Sequence, residues 1–323
     1  MPRELIATAP RTPTLREYED GPVPEGSVRV ETEFGAPKHG TEMTMYRATR
    51  GANFPMGLGN MCVGRITEIG GGVEGLSVGQ RVAGYGSLRE THTWRAQNVL
   101  VMSDVMTWKE AVCYDPAHFA LAGVRDAKVR AGDHVAVFGL GALGQMSAQF
   151  AAVSGAATVT VIDPIAARRK VALDAGADGG IDPTTDDVEA ALREVSAGRG
   201  VDVIIETSAN MAALNTALTG LAYGGTLAYL GWAKAFPAGL DLGDRAHVEV
   251  PDIIFSRACS EPNRDHPRWD FKRIEDTCWD WLSSQKFRCE GIIAPVVNFA
   301  DVVEAYQDID NHPEKSIKTG VRF

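Results

Sequence analysis

Cysteine is scarce and scattered. The five in 323 residues, Cys62, Cys113, Cys259, Cys278 and Cys289, form no Cys-x-x-Cys pair and are odd in number. That excludes the paired cysteines of a zinc lobe and the density of a disulfide scaffold, and a reducing compartment fits best. Clustered positive charge is also lacking. Lys and Arg number 32 against 42 Asp and Glu, the formal net charge is −10, and the longest basic run is Arg168-Arg169-Lys170. Phosphate backbones and anionic lipid need clustered Lys and Arg, so neither nucleic acid nor a membrane surface is an expected partner. The opening MPRELIATAPRTPTLREYEDG carries charges throughout and has no apolar core of signal-peptide length, so a cytoplasmic location is expected. No internal repeat or low-complexity segment stands out. One run, 135–162, lacks charge over a length that could span a bilayer. Its four glycines and the polar Gln145, Ser147, Gln149 and Ser154 make a poor lipid-facing helix.

What is present is the ordinary make-up of a globular protein, 45% apolar and 23% charged, with length for two domains. From Asp133 onward short β-branched runs alternate with amphipathic segments. HVAVF (134–138), TVTVI (158–162), VDVIIE (201–206) and TLAYLG (226–231) read as buried strands. Residues 166–176, 186–198 and 210–221 read as helices, with Gly176 and Gly198 where C-caps fall. Repeated β-α units at this spacing predict an α/β fold: a doubly wound parallel sheet with helices on both faces. The first 120 residues differ, being rich in Gly and Pro, with strand-like alternation in SVRVETEF (27–34) and VGRITEIG (63–70) and a turn signal at 75–82. They predict a separate, mostly β domain. After about residue 260 the rhythm ends. The expected organisation is a first domain over 1–120, a nucleotide domain over 121–260, and a return to the first domain over 261–323.

Gly139-Leu140-Gly141-Ala142-Leu143-Gly144 matches Gly-x-Gly-x-x-Gly. An apolar strand runs into it, an uncharged helix follows, and a second strand ends at Asp163, 24 residues after the first glycine. Gly139 permits the tight turn, Gly141 lets the backbone approach a pyrophosphate, and Gly144 allows helix and strand to pack closely. Ala142 and Leu143 inside the turn, and Thr207 after VDVIIE, are assigned to the same nucleotide. Asp163 is expected to accept hydrogen bonds from the adenosine ribose and to repel a 2′-phosphate, favouring NAD over NADP. Arg168 either flanks the adenosine or sits on a solvated helix face. A methyltransferase is the rival reading of such a site; the three glycines and the apolar strand favour the dinucleotide.

With these pieces placed, the chain resembles the medium-chain dehydrogenase/reductase superfamily: zinc alcohol and polyol dehydrogenases and their zinc-free relatives. Residues 58–82 look like its glycine-rich signature segment, and 129–144 like the start of its nucleotide fold. The resemblance implies a GroES-like β domain, a Rossmann domain, a cleft between them, and a homodimer or homotetramer. PDIIF (251–255) is a segment able to extend a sheet across two subunits. Zinc members have His-Glu where this chain has Asn60-Met61, and Cys where it has His39. Their third ligand falls near Asp115, and the structural zinc lobe is absent. No metal is therefore expected. A catalytic metal that lowers the pKa of bound water from ~15.7 to ~7 supplies on the order of 12 kcal/mol of anion stabilisation. A positioned general base supplies only about 3 to 5 kcal/mol.

The stretch APKHGTEMTMY (36–46) is the natural place for proton chemistry. By resemblance Thr41 matches a proton-relaying hydroxyl, and His39 stands where a ligand would face the substrate. The expectation is His39 as general acid/base, Thr41 as relay, and Lys38 or Glu42 as its orienter. The alternative is that His39 and Glu42 only hydrogen-bond at the domain interface. Asn60, Asp115 and His118 are further substrate candidates. Asn263, with Arg264 and His266, either suits a polyhydroxylated ligand or forms a solvated turn. Trp269, Trp279 and Trp281 read as core rather than as sugar platforms. Together these imply a zinc-independent, NAD-dependent dehydrogenase acting on a small polyhydroxylated alcohol or ketone: a sugar, polyol or cyclitol-like substrate. A quinone or enoyl reductase, or a dinucleotide-binding protein without chemistry, are the alternatives.

Overall fold

The structure is a computed structural model that describes residues 1–49, 51–232, 239–243 and 245–323. The chain divides into two compact units, Met1–Asp115 with Leu282–Phe323, and Pro116–Trp281.

In the second unit six strands form one parallel sheet in the order Gly179–Ile181, Thr158–Ile162, His134–Phe138, Val201–Glu206, Leu221–Tyr229, Asp252–Phe255. In chain order that is 3-2-1-4-5-6, the Rossmann arrangement. Three strands run over the residues their sequence predicts, because each is β-branched and bounded by Gly, Asp or a loop. The fourth is longer than TLAYLG. The helix Met211–Gly220 stops at Gly220, Leu221 is already extended, and the strand runs Leu221–Tyr229. The uncharged run 135–162 resolves into a strand, a turn, the helix Ala142–Val153 and a second strand. No helix among the described residues is long and apolar enough to cross a membrane. Val201, Ile204, Leu192, Leu214, Leu218 and Leu227 fill the core between the sheet and the helices on one of its faces.

The first unit is mostly β. A seven-stranded sheet has the order Ile293–Asn298, Lys318–Arg322, Ser27–Ala36, Met61–Ile69, Arg81–Tyr85, Leu100–Val101, with Thr91–Arg95 on the free half of Ser27–Ala36. A three-stranded sheet, Thr12–Glu17, Arg3–Ala9, Met56–Gly57, lies in the same unit. Alternation places Val28, Val30, Ile66 and Val82 in one buried cluster. The helix Val302–Asn311 buries Val302, Tyr306 and Ile309, spaced so that all three share one face.

The return to the first unit comes at Leu282 and not at 261. The intervening residues belong to the second unit by specific contacts. The Arg125 guanidinium lies 3.7 Å from the Trp269 ring centre and pairs with Asp265, and Trp281 stacks on Phe150 at 5.8 Å. Sequence periodicity ended at 260 because the β-α alternation ends there, while the packing continues through the helix Phe271–Ser283.

Candidate active site

The glycine turn leaves the strand His134–Phe138 and opens the helix Ala142–Val153, with Gly141 at its N-cap. Gly139 has φ +83°, a left-handed conformation open to glycine at little cost. A Cβ at Gly144 would lie 1.8 Å from the Gly139 carbonyl oxygen, so the helix sits on the turn through the missing side chain. At Gly141 a Cβ would meet nothing within 4 Å, which leaves room above the helix N-terminus where Ala142 and Leu143 are partly exposed. Asp163 is only 4% exposed. Its two oxygens accept the Leu140 N–H (2.7 Å) and the Ile165 N–H (2.8 Å). The carboxylate thus ties the second strand to the glycine turn, and a lone pair on each oxygen remains for a ribose.

Two cofactor assignments change in character. Thr207 donates its hydroxyl to the Gly139 carbonyl (2.7 Å), with the Phe138 carbonyl at 3.0 Å, so it braces the turn. The Arg168 guanidinium lies 3.8 Å from Asp163 Oδ2 and is largely buried, unlike a solvated helix-face arginine. Gln145, which sequence reasoning passed over, donates to the Arg168 carbonyl at 2.8 Å.

In the first unit a second cluster forms around Lys38, His39 and Glu42. Glu42 is buried, and its carboxylate accepts the Lys38 N–H (2.9 Å), the Gly59 N–H (2.7 Å) and the Tyr306 hydroxyl (2.5 Å). Burial pushes the Glu42 carboxyl upward against these three donors, and burial together with the Glu42 charge pushes the Tyr306 phenol upward. Glu42 therefore fastens Lys38 to the residue preceding Asn60. The Lys38 ammonium meets Asp115 Oδ1 at 2.9 Å. His39 Nε2 accepts the Thr319 N–H at 3.0 Å, so a neutral imidazole there carries its proton on Nδ1. Lys318, 2% exposed, donates to the Pro37 carbonyl at 2.7 Å. Burial pushes its ammonium downward, opposed by the Asp115 carboxylate.

Each remaining candidate has defined local surroundings. The proton-accepting Nε2 of His39 is engaged by Thr319, which argues against a free general base. The contacts of Glu42 serve the local fold. The bond of His39 to Thr319, and those of Glu42 to Lys38, Gly59 and Tyr306, join residues of the first unit. Thr41 opens the short helix Thr41–Tyr46 and is partly exposed. His118, in the second unit, is buried with its ring 4.5 Å from Phe119 and 5.3 Å from Phe271. Asn263 accepts the Asp265 N–H (3.2 Å) in a turn closed by the His266 N–H to its carbonyl. The three tryptophans are partly buried. Asp115 remains paired with Lys38, and the Asn60 Oδ1 is buried with no hydrogen-bond partner among the described residues.

A parallel 3-2-1-4-5-6 sheet with a glycine turn, joined in one chain to a mostly β unit, defines a nucleotide-binding dehydrogenase architecture. The alcohol dehydrogenase GroES-like domain model matches residues 24–155, and the zinc-binding dehydrogenase model residues 142–258. D-guloside 3-dehydrogenase of Escherichia coli (strain K12) is 47% identical, covering 99% of this chain and 100% of that protein. A putative zinc-binding dehydrogenase from Sinorhizobium meliloti 1021, bound to NADP, superposes with TM-score 0.84 at 18% identity, covering 100% of this chain and 99% of that one. A short chain alcohol dehydrogenase from Escherichia coli CFT073, complexed with NADH, gives TM-score 0.81 at 20% identity and the same coverage. The chain belongs to the medium-chain dehydrogenase/reductase superfamily.

Zinc in such proteins takes thiolate, imidazole or carboxylate ligands. At the positions resembling ligand positions this chain offers His39, Asn60 and Asp115. An amide is a poor zinc ligand, His39 Nε2 is occupied by an N–H, and the Asp115 carboxylate already holds an ammonium. A dication there would also face Lys38 and the buried Lys318. The donor set does not fit zinc.

Proposed function

We propose that the protein is a zinc-independent, NAD-dependent dehydrogenase that oxidises a secondary alcohol of a sugar, with a D-guloside oxidised at C3 as the first substrate to test. The observation that carries the reading is the 47% identity, over nearly the whole of both chains, to D-guloside 3-dehydrogenase. The glycine turn supports a dinucleotide, and Asp163 supports NAD, because a carboxylate at the end of the second strand, held against the turn, would repel a 2′-phosphate. Bound NAD supplies the hydride acceptor. The chain supplies the turn and helix N-terminus for the pyrophosphate, the carboxylate for the ribose, and the Lys38 cluster for the alcohol.

The test is the formation of reduced nicotinamide with NAD+ or NADP+ across D-gulosides, other glycosides, polyols and cyclitols. The expected result is oxidation of a glycoside at C3, with NAD+ preferred by about 100-fold in kcat/KM, roughly 3 kcal/mol. Preference for NADP+ overturns the cofactor assignment. NADH binding without turnover on the whole panel overturns the dehydrogenase.

A further inference from the structure

The Lys38 side chain is held in a way that solvent-facing lysines are not. Its backbone N–H is fixed by Glu42, the preceding carbonyl by Lys318, the following imidazole by the Thr319 amide, and its ammonium by Asp115. Fixing four rotatable bonds costs side-chain entropy, so a tethered ammonium marks a position where the charge is needed in one place. Asp115 is buried while the Lys38 side chain keeps 28% exposure, so the lysine is the more accessible member of the pair. The second observation is Asn60. Glu42 accepts the backbone N–H of both Lys38 and Gly59, which ties the lysine's segment to the one that carries Asn60, and the Asn60 Oδ1 is a buried acceptor with no partner among the described residues. An ammonium donor and an unfilled amide acceptor on two segments joined through one carboxylate suit a vicinal diol: one oxygen accepts from the ammonium, and the neighbouring hydroxyl donates to the amide.

We propose that Lys38 is a catalytic residue whose ammonium grips the reacting oxygen of a vicinal diol, the role a metal plays in zinc members, with Asn60 binding the adjacent hydroxyl. This rests on the dehydrogenase reading above. Asp115 and Lys318 are positioning residues. In oxidation the carbinol C–H breaks and its electron pair passes as hydride to the nicotinamide C4, reducing NAD+. The hydroxyl proton passes to solvent water, and the C=O double bond forms. The ammonium keeps its own protons and stabilises the negative charge that gathers on oxygen.

The experiment uses the full chain and first establishes wild-type turnover. Without it the dehydrogenase reading has failed, and Lys38 is then judged by whether K38M still binds polyol in calorimetry; undiminished binding overturns the assignment. With turnover, K38M is expected to lower kcat by about 10²- to 10³-fold, as for loss of an oxyanion donor, while NADH affinity read by fluorescence quenching stays unchanged. K38A is expected to regain rate with methylamine or ethylamine, saturably, and N60A to raise KM for the diol while sparing a substrate that lacks the neighbouring hydroxyl. Dialysis against a chelator is expected to leave the wild-type rate intact. If K38M folds poorly, K38R preserves charge and ion pair and is expected to keep measurable turnover. A kcat for K38M within about threefold of wild type, absence of amine rescue in a K38A that binds NADH, or a chelator-treated enzyme revived by zinc each overturns the proposal.

Discussion

His92 shows how far one side chain can be displaced from its solution chemistry. The ring is buried, stacks on Trp94 at 4.7 Å, and has its pKa pushed down to about 3, first by burial and then by the Arg89 charge. The unfolded chain takes up a proton near the ordinary histidine pKa, and the folded chain does so only at much lower pH. The stability this group contributes is therefore complete above pH ~6.5 and is lost as pH falls toward its folded value. Between pH 6.5 and 5 wild type should lose about 2 kcal/mol more than His92→Phe, measured by urea unfolding at both pH values. A retained slope in the variant would assign the acid sensitivity to other groups. The polar stretch 36–46 shows which residues a sequence can expose. Lys38, His39 and Glu42 were legible because they crowd into one polar stretch. Their partners Tyr306, Lys318 and Thr319 were not, since they lie more than 250 positions away and only tertiary pairing brings them near. A lysine in an otherwise strand-like terminal segment was the one available signal. The same gap explains the role expected for His39: the residue type was visible, and the amide that occupies its nitrogen was not.

The glycine turn separates two functions that one motif conceals. Gly144 carries the contact between helix and strand, and a methyl there would collide with the Gly139 carbonyl. Gly141 faces open space. Gly144→Ala should destabilise the protein by about 2 to 3 kcal/mol, an overpacking cost, and lower Tm. Gly141→Ala should leave Tm nearly unchanged and weaken NADH binding about tenfold, or 1.4 kcal/mol. Thermal unfolding with and without NADH distinguishes them, and equal behaviour of the two variants would refute the division. Elements of the nucleotide unit could be read from sequence because their patterns are local. Strands alternate with helices, and Gly176 and Gly198 stop the helices at positive φ. The boundary near 261–281 could not, because the segment belongs to the second unit through aromatic and arginine contacts that leave no periodic trace.

The six-stranded sheet ends in Asp252–Phe255, whose Ile253 and Phe255 are 42% and 67% exposed. An exposed apolar edge strand is a template for pairing with another chain. We expect a homodimer in light scattering, and expect Ile253→Pro, which removes a ladder N–H, to shift it toward monomer by at least about 2 kcal/mol of association energy. A wild-type monomer at micromolar concentration would remove the edge from consideration. The seven-stranded sheet has a consequence of a different kind. Its strand Lys318–Arg322 is inserted between Ile293–Asn298 and Ser27–Ala36, so residues made earlier share a sheet with residues made some 290 positions later. The dinucleotide unit, by contrast, is one uninterrupted stretch. On the ribosome it can mature while the earlier segment waits with an open sheet edge, and the stretch around Pro37 and His39 acquires its shape last, when the late strand arrives to bond to it.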